Sequence, residues 1–386
     1  MLKNIYDIVK RELKNISQDI DIKSIILLAP IFYALFYGTI YINKVERDLP
    51  IVVYDEDHSE MSKKLTRLLD AHDMLKVSES VPDFQTGVNK INSEEARAMV
   101  YFPKNFESDL KLYKGSTVKL YINTTRFLVS NDINIAANEV IMSYNSDIKL
   151  KFFEKAGYSY EQSNELIEPV KYDMRPMFNF TESYGDFLVP GILALIIQQT
   201  LLIGLSESFS KEREMKTLGE LYKLSGKNIF TVIHGKGLFY GILFSAYSFL
   251  FFTFTFSLFK LNMAGSIIAL SIFTFLLITA VIYLSILFAS FIKRKLIAVQ
   301  FLALTSYPIF LISGYSWPAQ AMPVWVQYLS KLLPSTPYLS AFVRITQMGA
   351  GLNETLPELL HMIILTLILY LMTHLRLKTL FKQLTQ

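Results

Sequence analysis

The sequence predicts a polytopic α-helical membrane protein: six transmembrane helices with an inserted extracytoplasmic α/β domain. Three observations carry that prediction. Charged residues make up only 19% of the 386, where soluble chains carry about 25%. Charge is nearly absent from six long stretches, and mean hydropathy reaches +0.32. The one long polar interval, 44–185, alternates strand-like and helix-like patterns.

A bilayer core of about 30 Å needs ~20 apolar residues in a helix. Runs of that kind occupy 24–43, 187–206, 237–259, 261–292, 296–330 and 359–375. The fifth is too long for one helix, and Gly314-Tyr315-Ser316-Trp317-Pro318 predicts its end near Leu311. Lys and Arg in short loops favour the cytoplasmic face. Seventeen of them lie before the first span, between spans two and three, between spans four and five, and in the tail 376–386. The opposite short loops hold three: Lys260, Lys331 and Arg344. Both termini are therefore expected in the cytoplasm. A cleaved signal peptide over 1–43 is the competing reading, but no A-x-A-like site follows the apolar run.

Residues 1–23 precede the first span (24–43). Within them Leu2, Ile5, Val9, Leu13, Ile16 and Ile20 recur at helical spacing, with Lys10, Arg11 and Lys14 off the stripe. That pattern predicts an amphipathic helix in the cytoplasmic headgroup plane. In 44–185, strands are expected at 51–57, 74–80, 97–103 and 116–123, and helices at 59–70, 82–95 and 128–155. Asp55, Glu56, Asp57 and His58 read as a solvated turn and helix cap, because adjacent residues of an extended segment point to opposite faces. There is no cysteine, which excludes disulfides and Cys-based metal or redox chemistry.

No catalytic motif is present: HExxH, GxSxG and GxxxxGK[ST] are all absent, so the chain has no P-loop of its own. No metal site and no catalytic residue is expected. The segment 207–236 is too long for a simple turn. Leu218, Leu221, Tyr222 and Leu224 give it a short amphipathic helix suited to docking a soluble partner. Inside the spans, Gln198 and Gln199 point about 100° apart. A buried amide in a membrane must be paired or face a cavity, so a translocation path or an interface is expected there. Gly237, Gly241 and Ser245 form a small-residue face for close helix packing. Trp317, Trp325 and Tyr315 fall where an outer aromatic belt belongs. The eight phenylalanines of 239–259 read as lipid-facing packing.

The run E-R-E-M-K-T-L-G-E-L-Y-K-L-S-G-K-N-I-F (212–230), followed by G-K-G (235–237), resembles the cytoplasmic loop of ABC-2 type exporter permeases. There, charged residues precede a "GTLE-x-L" helix and a "GK" pair opens the next span. FLISGYSWPAQAMPVWVQYLSKLLPSTPYLSAF (310–342) resembles the same family's external hairpin after the fifth span, here within 313–357. One departure is Lys216-Thr217-Leu218-Gly219-Glu220, where "GTLE" has become "KTLGE".

The resemblance implies an ABC exporter's membrane subunit in a bacterial inner membrane, with spans two to six in 186–375. Its partners would be cytosolic ABC ATPase subunits, a second permease copy or paralogue, and membrane lipid. The chain would use no cofactor itself, ATP and Mg being bound by the ATPase, and would bind no nucleic acid. The ATPase-coupling element would fall on Lys211, Glu212, Arg213, Glu214, Lys216, Thr217, Leu218, Glu220, Leu221 and Leu224. The cargo would be amphipathic, lipid-linked or drug-like. The rival class is a receptor whose external domain binds a ligand and whose 207–236 loop recruits a signalling protein. Net charge fits the topology: 44–185 carries an acidic excess, and the basic excess elsewhere sits mainly in the loops assigned to the cytoplasm.

Overall fold

The computed structural model describes residues 1–386 except 45, 171–173, 180–182 and 386, and the side chains of 384 and 385. The chain divides into two compact units: Met1–Lys44 with Pro176–Gln386, and Val45–Arg175.

In the first unit six helices are long and apolar enough to cross a membrane. They are Ile20–Ile40, Tyr184–Glu214, Ile229–Leu258, Ile267–Ala289, Lys295–Ile312 and Leu356–Gln383, here TM1 to TM6. TM2 is the central member, with 83% of its apolar window buried, whereas TM5 has 17%. The apolar surface left exposed on TM5 includes Leu296, Phe301, Leu304 and Tyr307.

TM6 runs past the expected end at 375 to Gln383, and two other boundaries differ from the charge-based expectation for one shared reason. TM2 runs on through Glu207 and Glu212, and TM3 begins before Lys236, because these charges are buried and find partners from distant segments. Of the span-three phenylalanines, Phe244, Phe251, Phe252, Phe256 and Phe259 lie in the interior, whereas Phe249 and Phe254 are exposed. The lipid-facing expectation therefore fails for most of them.

TM1 and TM3 each contain one π-helical turn, at Ser24–Leu28 and Phe251–Thr255. A π turn loosens the regular carbonyl ladder, and the Leu27 carbonyl in TM1 accepts a hydrogen bond from the Tyr247 hydroxyl of TM3 at 3.1 Å. At one end of this unit Tyr315 does not join a surface belt. It stacks on Phe187 with ring centroids 5.2 Å apart, and its hydroxyl donates to the Phe187 carbonyl. Trp317 and Trp325 are exposed.

The second unit holds a four-stranded sheet in the order β2-β1-β3-β4, with β1 Leu49–Asp55, β2 Leu75–Val81, β3 Ala98–Phe102 and β4 Lys119–Ile122. β1 is parallel to β2 and β3, while β4 is antiparallel to β3. Parallel neighbours need a crossover, and helices Glu60–Asp70 and Phe84–Asn92 supply them. One sheet face packs Ile51, Val53, Val100 and Phe102 against Leu65, Leu69, Ile133 and Ala137. The other buries Val52 and Met99. Burial on both faces explains the unbroken Ile51-Val52-Val53 run. The acidic segment caps and turns: the Asp55 carboxylate accepts the backbone N–H groups of Asp57 and His58, and Ser59 caps the following helix. Glu56 accepts hydrogen bonds from the Tyr54 and Tyr101 hydroxyls, which hold its carboxyl below the usual range.

Candidate functional site

One end of the helical unit gathers four chain segments: the N-terminal helix α1 (Leu2–Ser17), the TM2–TM3 loop with its short helix α2 (Leu218–Leu224), the TM4–TM5 turn and the far end of TM6.

α1 has three faces. Ile8, Glu12 and Ile16 recur every four residues and are buried against the bundle. Leu2, Tyr6 and Leu13 are exposed, and so are Lys3, Lys10 and Lys14. The apolar stripe read from sequence is thus split, because the face that docks contains a glutamate that hydrophobic periodicity skips.

That glutamate is fixed on all sides. Glu12 and Lys236 are 1% and 0% exposed, with Lys236 Nζ 2.5 Å from Glu12 Oε2. Lys236 also donates to Ser208 Oγ at 2.6 Å. Ser208 donates to Glu12 Oε1, which accepts the Tyr240 hydroxyl at 3.1 Å as well. One turn along TM2, Glu212 accepts two hydrogen bonds from Arg11 and one from the Thr217 hydroxyl, and lies 3.5 Å from Lys236. The paired carboxylate raises the Arg11 guanidinium above its already high range.

A second ion cluster lies beside the first. Asp19, which caps the start of TM1, meets Lys211 Nζ at 2.6 Å. Lys295, the first residue of TM5, lies 2.8 Å from Asp21, 3.6 Å from Asp19 and 3.5 Å from buried Glu207. Asp19, Asp21 and Glu207 bring carboxylate oxygens within 4.8 Å of one another, the one such grouping among the described residues. Two lysine ammonium groups already meet these carboxylates, so the arrangement suits ion pairing between TM1, TM2 and TM5. Burial pushes the Asp19 carboxyl up. The hydrogen bonds from Lys211 and the Ile22 N–H, with the Lys211 and Lys295 charges, outweigh this and hold it below its ordinary range.

The ten residues predicted for coupling therefore divide. Glu212, Leu218 and Leu221 are buried; Lys211, Arg213, Thr217 and Leu224 are half-buried; Glu214, Lys216 and Glu220 are exposed. Several of them serve the chain itself. Arg213 donates to carbonyls at the end of TM4, and the Glu214 carboxylate accepts the Lys295 N–H that opens TM5. α2 is seated by Leu218 and Leu221 and by Tyr222, which stacks on Phe381 of TM6 at 4.3 Å. The outward surface is left to Met215, Lys216, Glu220 and Lys223. Sequence reasoning missed Glu12, Asp19, Ser208, Tyr240 and Lys295. The available signal for Glu12 was its place between Ile8 and Ile16 on one helical face.

Gln198 and Gln199 are 3% and 6% exposed, both covered by the chain's own helices. Gln198 Oε1 and both amide atoms of Gln199 have no hydrogen-bond partner among the described residues. Gly237 and Gly241 face Ile282 of TM4, whereas Ser245 is exposed and bonds back to the Gly241 carbonyl.

The family model described as ABC-2 family transporter protein matches residues 23–375. The chain is 23% identical over 227 residues to proteins named probable multidrug ABC transporter permease YbhR, from Escherichia coli strain K12 and from E. coli O157:H7. That match covers 57% of this chain and 56% of each relative, so the chain spans little more than half the length of the curated relatives it matches. With six candidate spans and a family match over most of its length, the chain belongs to the ABC-2 transporter family and is a multi-pass membrane protein.

Proposed function

We propose that the chain is the membrane subunit of an ATP-driven exporter. In this reading a separate cytosolic ABC ATPase binds ATP and Mg and docks on α2. One observation carries it: α2 is clamped from within by Leu218, Leu221 and Tyr222 while Glu220 and Lys223 face outward. A short helix held that way is a rigid lever, and the chain has no P-loop to hydrolyse ATP itself. The lysine and arginine distribution supports a cytoplasmic position for this end and both termini and an extracytoplasmic one for the polar interval 44–185. The membrane is a bacterial inner membrane.

The permease works as a pair, with a second copy or a paralogue, in contact with lipid. The exposed apolar face of TM5 supports both contacts. The cargo is amphipathic, lipid-linked or drug-like, in keeping with the multidrug name of the relatives. Gln198 and Gln199 lie on or beside its path, since unpaired amides inside a membrane bundle are costly unless used.

The test is co-purification with a cytosolic ABC ATPase of the same cell, followed by reconstitution and dye efflux. Glu220→Lys with Lys223→Glu should abolish ATPase retention and efflux while the chain still accumulates in the membrane. A normal ATPase complex from that variant would remove α2 from the docking site.

A further inference from the structure

We infer that Glu12 and Lys236 are positioning residues for energy coupling, making α1 part of the moving lever rather than a passive helix on the membrane surface. The inference rests on the reading of α2 as the ATPase-facing element.

Three elements meet at this pair. Glu12 belongs to α1, Lys236 and Tyr240 to TM3, and Ser208 to TM2. Each oxygen of the Glu12 carboxylate accepts a hydrogen bond: Oε1 from Ser208 and Tyr240, Oε2 from Lys236. Glu212 extends the set, binding Arg11 of α1 and Thr217, the residue before α2. A displacement of α2 therefore acts on Thr217, Glu212, Arg11 and then the Glu12–Lys236 pair.

Apolar surfaces slide over one another at little cost, because the attraction between them has no direction. A buried ion pair does not slide, because separating the two charges leaves each without solvent or partner. Arg11 and Glu12 are adjacent in sequence and grip two different carboxylate or ammonium centres, which fixes both the rotation and the axial position of α1. Close packing beside the pair reinforces this: a Cβ placed on Gly235 would stand 3.0 Å from the Ile8 Cβ. α1, the end of TM2 and the start of TM3 accordingly move as one body.

Two measurements on the reconstituted complex with its ATPase test this. The chain has no native cysteine, so Ile8→Cys with Gly235→Cys introduces a single pair at nearly disulfide distance. Oxidation should leave ATP hydrolysis and dye efflux unchanged relative to the reduced form of the same protein. Efflux that stops on oxidation and returns on reduction would overturn the inference, since α1 would then have to move against TM3.

In the second, Glu12→Leu with Lys236→Met removes both charges and leaves neither group unpaired, so the protein should fold and retain its ATPase. Efflux per ATP hydrolysed should fall about tenfold, within the ordinary range of coupling between separate sites. Tyr240→Phe, which removes one hydrogen bond to Glu12, should give a smaller loss of the same kind. Full coupling in the charge-free double variant would sink the inference and leave the proposed function standing. Failure of the native chain to retain any ATPase would sink both.

Discussion

The guanidinium of Arg213, at the end of TM2, donates to the carbonyl of Ser290, at the end of TM4. The same Nη1 reaches the carbonyls of Ala289 at 3.3 Å and Ile292 at 3.1 Å. Arg376 of TM6 joins it on Ser290, through Nη2 to the carbonyl at 3.1 Å and Nε to the hydroxyl at 3.3 Å. The last carbonyls of a helix lack partners within the helix, and cations near that end are favoured by its dipole. Two arginines from different spans thus terminate TM4 and tie TM2, TM4 and TM6 together.

Arg213→Ala should therefore lower stability rather than affinity for the proposed ATPase partner. Hydrogen bonds to charged groups contribute about 1.5–3 kcal/mol, so a loss of about 2 kcal/mol is expected in thermal unfolding of the detergent-solubilised chain. Arg213→Lys should recover only part of it, because an ammonium cannot reproduce the planar fork. The folded fraction should still retain the ATPase. A variant of unchanged thermal stability that has lost the ATPase would return Arg213 to the docking surface.

Lys216 adopts a left-handed backbone, with φ 56°. It joins the end of TM2 to Thr217 and stands where the family's loop pattern opens on glycine. A non-glycine residue in that conformation costs roughly 1–2 kcal/mol, and Lys216 is exposed, with no packing to lose. Lys216→Gly should accordingly stabilise the chain by up to about 1 kcal/mol once the extra chain entropy of glycine is subtracted. Lys216→Val should destabilise it. Thermal shift of the two variants checks both signs.

The six spans were legible because membrane helices exclude charge and their loops collect it. The strands of 49–122 were legible because alternation and β-branched runs mark them, within two residues of their ends for the first three, while the fourth starts three residues later than expected. The site was less legible. Glu12, Glu212 and Lys236 look like loop charges in any local window, and only the return of α1 to the starts and ends of distant spans makes them partners. Arg213 and Glu214 read as a charge cluster for docking, yet one terminates TM4 and the other opens TM5. The π turns in TM1 and TM3 left no trace in the pattern, since one extra residue per turn does not alter an apolar run.

Gly237 is a packing requirement with a named neighbour. A Cβ added there would lie 2.6 Å from Ile282 Cγ2, closer than real contacts allow, whereas at Gly241 the same distance to Ile282 Cδ1 is 3.6 Å. Gly237→Val should force TM3 off TM4 and cost roughly 1–3 kcal/mol, the usual range for overpacking. Gly241→Ala should be tolerated. Ile282→Ala in the Gly237→Val background should restore membrane accumulation, because it removes the colliding methyl groups. Failure of that suppressor would place the clash elsewhere.

Acid should weaken the junction between TM1, TM2 and TM5 through Asp19. Its carboxyl is held below the ordinary aspartate range, and the groups that face it are Lys211, Lys295, Asp21 and Glu207. A carboxylate whose folded pKa lies below its unfolded value of about 3.9 stabilises fully above that value. It loses this contribution as pH falls through the lowered folded value. Asp19→Asn should therefore unfold at a lower temperature than the native chain near neutral pH. The gap should begin to close as pH falls below about 4 and vanish only below the lowered folded value, where both proteins present a neutral group at position 19. Many other carboxylates titrate in the same window, so the informative quantity is the difference between the two stability curves. Curves that stay parallel from neutral pH to the acid limit would mean that the Lys211–Asp19 contact adds no charge-dependent stability, and that Lys295 holds TM5 through Asp21 and Glu207.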